Sequence, residues 1–127
     1  MKQSIVLFFA LMLSYTAYCQ NQSQEGDKCF NEGDYACAEI KYNELVKLAT
    51  SETDKQIAEI KIQRAKWCSD HLKIANQAFA SYNYSKAKEN YQSILDSNPK
   101  DNYAKSQIEK CITKIEESNI IDTTRAD

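Results

Sequence analysis

Cys68 and His71 stand three residues apart, on one face of any helix that holds them. A thiol beside an imidazole is the pairing that activates a cysteine nucleophile. His71 is the sole histidine, so no other place in the chain offers both partners. The spacing is weak support by itself. An oxidising compartment would favour disulfide formation, and no pocket is implied. The carboxylates are numerous but scattered along solvated faces, so no general acid–base pair stands out. Glu44 with Lys47, and Glu59 with Lys61, read as surface charge pairs. There is no glycine-rich phosphate loop. There is no C-x-x-C, and His71 lies far from most of the thiols, so neither a metal nor another cofactor is expected. Trp67 reads as a helix-packing anchor rather than a ligand platform. The expectation is a chain that is not an enzyme.

The bulk numbers narrow the alternatives. The chain has 127 residues, 16 basic and 18 acidic, with the signs interleaved. That argues against nucleic acid, which needs a basic patch to neutralise phosphates. It argues equally against a polybasic membrane-surface helix. One domain is the prior.

Residues 1–19 read as a signal peptide. Lys2 precedes the apolar run IVLFFALMLSYTAY at 5–18. A bilayer span needs roughly 20 such residues, whereas a secretory signal needs fewer. Ala17-Tyr18-Cys19 before Gln20 offers small residues where a signal peptidase reads. An uncleaved anchor and a lipid on Cys19 are the other options, though the bulky Tyr18 fits a lipoprotein signal poorly. A membrane would be engaged only in those two ways. The expected location is the periplasm or cell surface of a bacterium.

The elements that would position any site are helices. Only Gly26, Gly33 and Pro99 break a chain rich in Ala, Lys, Glu and Gln. Helices are expected from about Gln22 to Asn31, from Tyr35 to Leu48, from Tyr84 to Ser97 and from Asp101 to Glu117. Residues 20–25 read as frayed. A long helical pattern spans 54–81, continuous or broken at Ser69-Asp70. Gly33 is a natural terminator, and Asp34 a natural cap for the next helix. Pro99 ends the fourth pattern. The domain is then 20–117, with 118–127 a loose tail.

One helix is written twice. Sliding the chain by 49 aligns Phe30 with Phe79, Tyr35 with Tyr84, Ala38 with Ala87 and Tyr42 with Tyr91. Gly26 falls on Ala75, and Asp34 on Asn83. Small residues let neighbouring helices approach, and the tyrosines fill the space to the next helix. Neither copy can bury its apolar face alone, so copies should stack.

At these residues the sequence resembles a tetratricopeptide repeat protein. The first copy reads Gly26…Gly33-Asp34-Tyr35-x-x-Ala38-x-x-x-Tyr42. The second reads Ala75…Asn83-Tyr84-x-x-Ala87-x-x-x-Tyr91 and closes at Asn98-Pro99. The resemblance covers most of 22–117. It implies an all-α fold: two helical hairpins, an elongated middle helix and a C-terminal capping helix, in a short right-handed solenoid. The family period is about 34 residues, so the 49 here place about 15 extra residues in 51–68. Gln22 and His71 stand where an aromatic is often found.

Removal of 1–19 leaves Cys29, Cys37, Cys68 and Cys111. Antiparallel folding about residue 52 places Cys37 opposite Cys68, the favoured pair. Cys29–Cys37 across the Gly33 turn competes with it, and a third option is that all four are small buried fillers.

By resemblance, the function is protein–protein interaction. The groove would present Ser23, Asp27, Phe30 and Asn31 from the first copy, and Leu72, Asn76, Phe79 and Ala80 from the second. A peptide or partner helix is the implied ligand. The alternative is a structural subunit of an envelope complex that self-associates, with the apolar face of 103–115 as its end.

Overall fold

Four side chains start four helices, and all do so in the same way. The structure, a computed structural model, describes the backbone of residues 2–125 and the side chains of residues 15–120. Asp34 accepts from the Cys37 N–H at 3.0 Å and opens α2, Tyr35–Leu48. Ser51 accepts from the Asp54 N–H at 3.1 Å and opens α3, Glu52–Ala80. Asn83 accepts from the Lys86 N–H at 3.2 Å and opens α4, Tyr84–Ser97. Asp101 accepts from the Ala104 N–H at 2.9 Å and opens α5, Asn102–Arg125. Each cap satisfies a backbone donor that the helix cannot pair internally. With α1, Lys2–Asn31, the described chain is all-α.

The two copies found in the sequence are also two copies in the backbone. α1 ends with Gly33 at φ +82°, the Gly33 N–H on Phe30 O and the Asp34 N–H on Cys29 O. α3 ends with Tyr82 at φ +62°, the Tyr82 N–H on Phe79 O and the Asn83 N–H on Ala78 O. Both are Schellman caps, 49 residues apart. The aromatic pairs repeat as well. Phe30 meets Tyr35 edge-on at 5.4 Å, and Phe79 meets Tyr84 edge-on at 5.2 Å.

Tyr82 holds a left-handed backbone conformation with its side chain 79% exposed. That conformation costs an L-residue roughly 1 kcal/mol and costs glycine almost nothing. Tyr82→Gly is therefore expected to raise the unfolding free energy by about 0.5–1 kcal/mol, read as a higher urea midpoint. An unchanged or lowered midpoint would mean that its edge-on contact with the Tyr84 ring, at 6.3 Å between centroids, outweighs the backbone cost.

Packing follows chain order: each helix lies chiefly on the one before it and the one after. Gly26 matters because a Cβ there would stand 2.6 Å from Tyr42 Cε1. Its lack of a side chain lets α1 settle on the Tyr42 ring. Ala75, fully buried, occupies the matching place. Tyr35, Ala38, Tyr42, Ala87 and Tyr91 all join one buried cluster, with Tyr84 partly buried against it.

Several boundaries differ from expectation. α3 is one helix through Ser69-Asp70, because no glycine or proline lies between 34 and 98 to outweigh the helical pattern. α5 continues through the supposed tail at 118 for the same reason. Residues 20–25 are helical rather than frayed, and Gln22 is buried. α1 runs unbroken across the Cys19–Gln20 peptide bond. The side chains of 5–14, most of the apolar run, lie outside the described residues. Among the described residues no helix is long and apolar enough to cross a membrane.

The expected Cys37–Cys68 disulfide is corrected: Cys37 is bonded to Cys29, with Cα atoms 5.7 Å apart. The reason is helical phase. Tyr35 faces Cys68, and Cys37 lies two residues on, about 200° around α2. It therefore points back to α1, where the Asp34–Cys29 backbone bond has brought the two turns together. Cys68 and Cys111 are free and buried.

Candidate partner-binding cleft

Asp27, Phe30 and Asn31 lie three and four residues apart, so they share one face of α1. Lys61 and Arg64 lie one turn apart on α3 and look toward that face. The turn Ser97–Lys100 closes the third side. Together they line a cleft of about 440 Å³.

Asp27 is the hub of its α2 side. It accepts from the Tyr42 hydroxyl at 2.7 Å and from Lys61 Nζ at 2.8 and 3.0 Å. Lys61 also stands 5.3 Å from the Tyr42 ring centroid. Burial, and then the Asp27 carboxylate, push the Tyr42 phenol well above its usual range. Lys61 thus pairs across helices with Asp27 rather than locally with Glu59. Arg64 lies over the Phe30 ring at 4.8 Å. Its Nε donates to Ser97 Oγ at 3.1 Å, and its Nη2 donates to the Ser97 carbonyl. A guanidinium suits this place: its face covers an aromatic while its edge caps the C-terminus of α4.

The floor is built from buried polar groups. Asn98 Nδ2 donates to Phe30 O at 2.6 Å and to the Tyr35 hydroxyl at 3.2 Å. Asp101 accepts from the Tyr35 hydroxyl at 2.7 Å. Pro99 stands between them at the rim. Asn31 differs from all of these. Its side chain is half-buried, lines the cleft, and has no hydrogen-bond partner among the described residues. Three cations (Lys61, Arg64, Lys100) and one carboxylate give the cleft a positive balance.

The structure does not bring the eight expected groove residues together. Ser23 accepts from Lys61 Nζ at 3.4 Å but does not line the cleft. Asp27, Phe30 and Asn31 share the cleft. Leu72 and Asn76 line a shallow hollow further along α3, with Lys73 and Ala80. Phe79 packs edge-on against Tyr84 and serves the core. Phe30 does both, since it is buried in the core and forms a cleft wall. Asn76 is committed to the fold: it accepts from the Tyr91 hydroxyl at 2.6 Å and from the Tyr103 hydroxyl at 3.0 Å. It is the neutral counterpart of Asp27, 49 residues later. Sequence reasoning missed Lys61, Arg64, Asn98 and Lys100. The only signal was a pair of cations one turn apart on a helix, which also describes an ordinary solvated face.

The possible nucleophile is not assembled. His71 packs against Trp67 with ring centroids 3.9 Å apart and planes tilted by 44°, and its Nδ1 lies 2.9 Å from Asn90 Oδ1. Cys68 is buried beside the Ser97 and Tyr35 hydroxyls, and burial pushes its thiol up. A second hollow, about 380 Å³, lies beside the middle of α1 between Tyr15, Cys19, Leu48 and Ile57. There the Tyr15 hydroxyl donates to the Leu48 carbonyl. Compared with known proteins, the chain matches no family model, no curated protein sequence and no solved structure.

Proposed function

We propose that this chain is a non-catalytic interaction scaffold of the bacterial envelope, built as a short right-handed tetratricopeptide-like solenoid. It takes a peptide or partner helix in the cleft between α1, α3 and the Ser97–Lys100 turn. The cleft's composition carries this reading. Phe30 offers an apolar wall, Asn31 an unused amide, and Arg64 and Lys100 a positive rim. An unused amide beside an aromatic suits the backbone of a peptide ligand, and the cations suit a ligand with a carboxylate. The paired Schellman caps, 49 residues apart, support the repeat reading. The Cys29–Cys37 bond supports export, because disulfides persist in oxidising compartments.

Asn31→Ala tests the cleft. The variant should lose binding to a captured partner peptide about tenfold, the value of one or two hydrogen bonds, while far-UV circular dichroism stays unchanged. Full binding by the variant would remove the cleft from the account. Asn76→Ala is the contrasting substitution, since it strands the Tyr91 hydroxyl and acts on the fold.

A further inference from the structure

α3 carries an apolar feature that neither the core nor the cleft uses. Ile60, Trp67 and Ile74 are spaced by seven residues and are 68%, 43% and 40% exposed. Seven residues turn a helix to within about 20° of its starting direction, so the three stand in one line. Apolar residues at this spacing supply one of the two rows in the seam of paired helices, and the intervening positions that would supply the other row are polar here. None of the three lines the cleft.

The flank of this line identifies what it pairs with. Glu59, Lys66, Asp70 and Lys73 project from one side of it, all exposed. None has an ion-pair partner among the described residues. Their signs run minus, plus, minus, plus along the helix. In a parallel two-fold pair this flank would face the opposite side of the other copy's line, so these charges would not meet. An antiparallel copy would set each against its opposite. With Trp67 on the two-fold axis, residue 60 lies level with residue 74 of the second copy. Glu59 then stands about 3 Å along the axis from Lys73 of the other chain, and Asp70 the same distance from Lys66. Every pair occurs twice, as an isologous contact requires.

We propose that a second copy of this chain docks antiparallel along the Ile60–Trp67–Ile74 line of α3. The surface beside the line is shaped for it. A hollow lined by Val46, Glu59, Ile60, Ile62 and Gln63 lies between α2 and α3, at the level where Ile74 of the second copy arrives. Trp67 meets Trp67 at the centre, where aromatic residues contribute most to an interface. α5 offers no comparable line, because its exposed Tyr103 and Ile112 are nine residues apart and about half a turn out of phase. Arg64 lies four residues after Ile60 and three before Trp67, so the dimer face adjoins the cleft. Charge swaps at Glu59 and Lys73 read dimerisation without involving any cleft residue.

Sedimentation equilibrium of the purified, disulfide-bonded protein tests it. A reversible dimer is expected, weakened at least tenfold by Glu59→Lys and again by Lys73→Glu. The double variant E59K/K73E should return to within about threefold of the parent, because both pairs are restored with reversed sign. Trp67→Glu should give a monomer with unchanged helicity. A protein monomeric at every concentration, or a dimer that these substitutions leave intact, would overturn the proposal. So would a double variant as weak as the singles.

Discussion

Asp101→Ala is expected to cost about 3 kcal/mol of stability. Two losses add. The Asp101 carboxylate caps α5 through the Ala104 N–H, and an N-cap is worth about 1 kcal/mol. Its other oxygen accepts from the Tyr35 hydroxyl in a site where both residues are buried. Stranding a buried donor costs about 1–3 kcal/mol more. For a chain of this size 1 kcal/mol moves the melting temperature by roughly 4 °C, so a drop of about 10–12 °C follows. Asp101→Asn keeps one acceptor, which can still cap α5, but sets a donor NH2 against the Tyr35 hydroxyl, so it should recover only the cap's share, about 1 kcal/mol. In a double-mutant cycle, Tyr35→Phe should show a coupling of about 1 kcal/mol with Asp101→Ala. A single-variant loss below about 1 kcal/mol would mean that water reaches Tyr35 and replaces its partner.

Tyr91→Ala should be costlier, at about 3–5 kcal/mol, the range for emptying a buried aromatic site. Tyr91 is 1% exposed and belongs to the same buried cluster as Ala75 and Cys111. Its ring meets Tyr103 edge-on at 6.2 Å. Folded domains hold only about 5–15 kcal/mol in total, so the variant should sit near its unfolding transition at 25 °C. Tyr91→Phe keeps the ring and removes one bond to Asn76, which still accepts from Tyr103. Its cost should be about 1 kcal/mol. Urea unfolding followed by circular dichroism checks both. A loss within about 1 kcal/mol for Tyr91→Ala would show that α4 packs without its central aromatic.

What was legible in the sequence was local or periodic. Asp34 and Asn83 could be read as caps because a cap acts within three residues. The 49-residue offset could be read because packing selects the same residue types twice. Long-range partners could not. Asn98 looked like the residue before a helix-stopping proline, yet its amide reaches Phe30 O, 68 positions away in sequence. Asp101 looked like a helix start, and its second role on Tyr35 spans 66 positions. The disulfide went astray on phase. A hairpin estimate sets the level of a residue along its helix but not its direction, and Cys37 points about half a turn away from Cys68. The cleft cations were hidden because Lys61 and Arg64 match the polar face that any surface helix shows. Only the fold reveals that α1 stands opposite them.

The cleft is the centre of the functional account, and backbone amide chemical-shift mapping tests it most directly. The ¹⁵N-labelled protein would be titrated with the partner peptide recovered by capture on the parent and lost on Asn31→Ala. The largest shifts are expected at 27–31, 61–64 and 97–100, on the three walls of one site. Shifts centred on Ile60, Trp67 and Ile74, or on the hollow between Tyr15 and Ile57, would contradict it and move recognition to another face of the molecule.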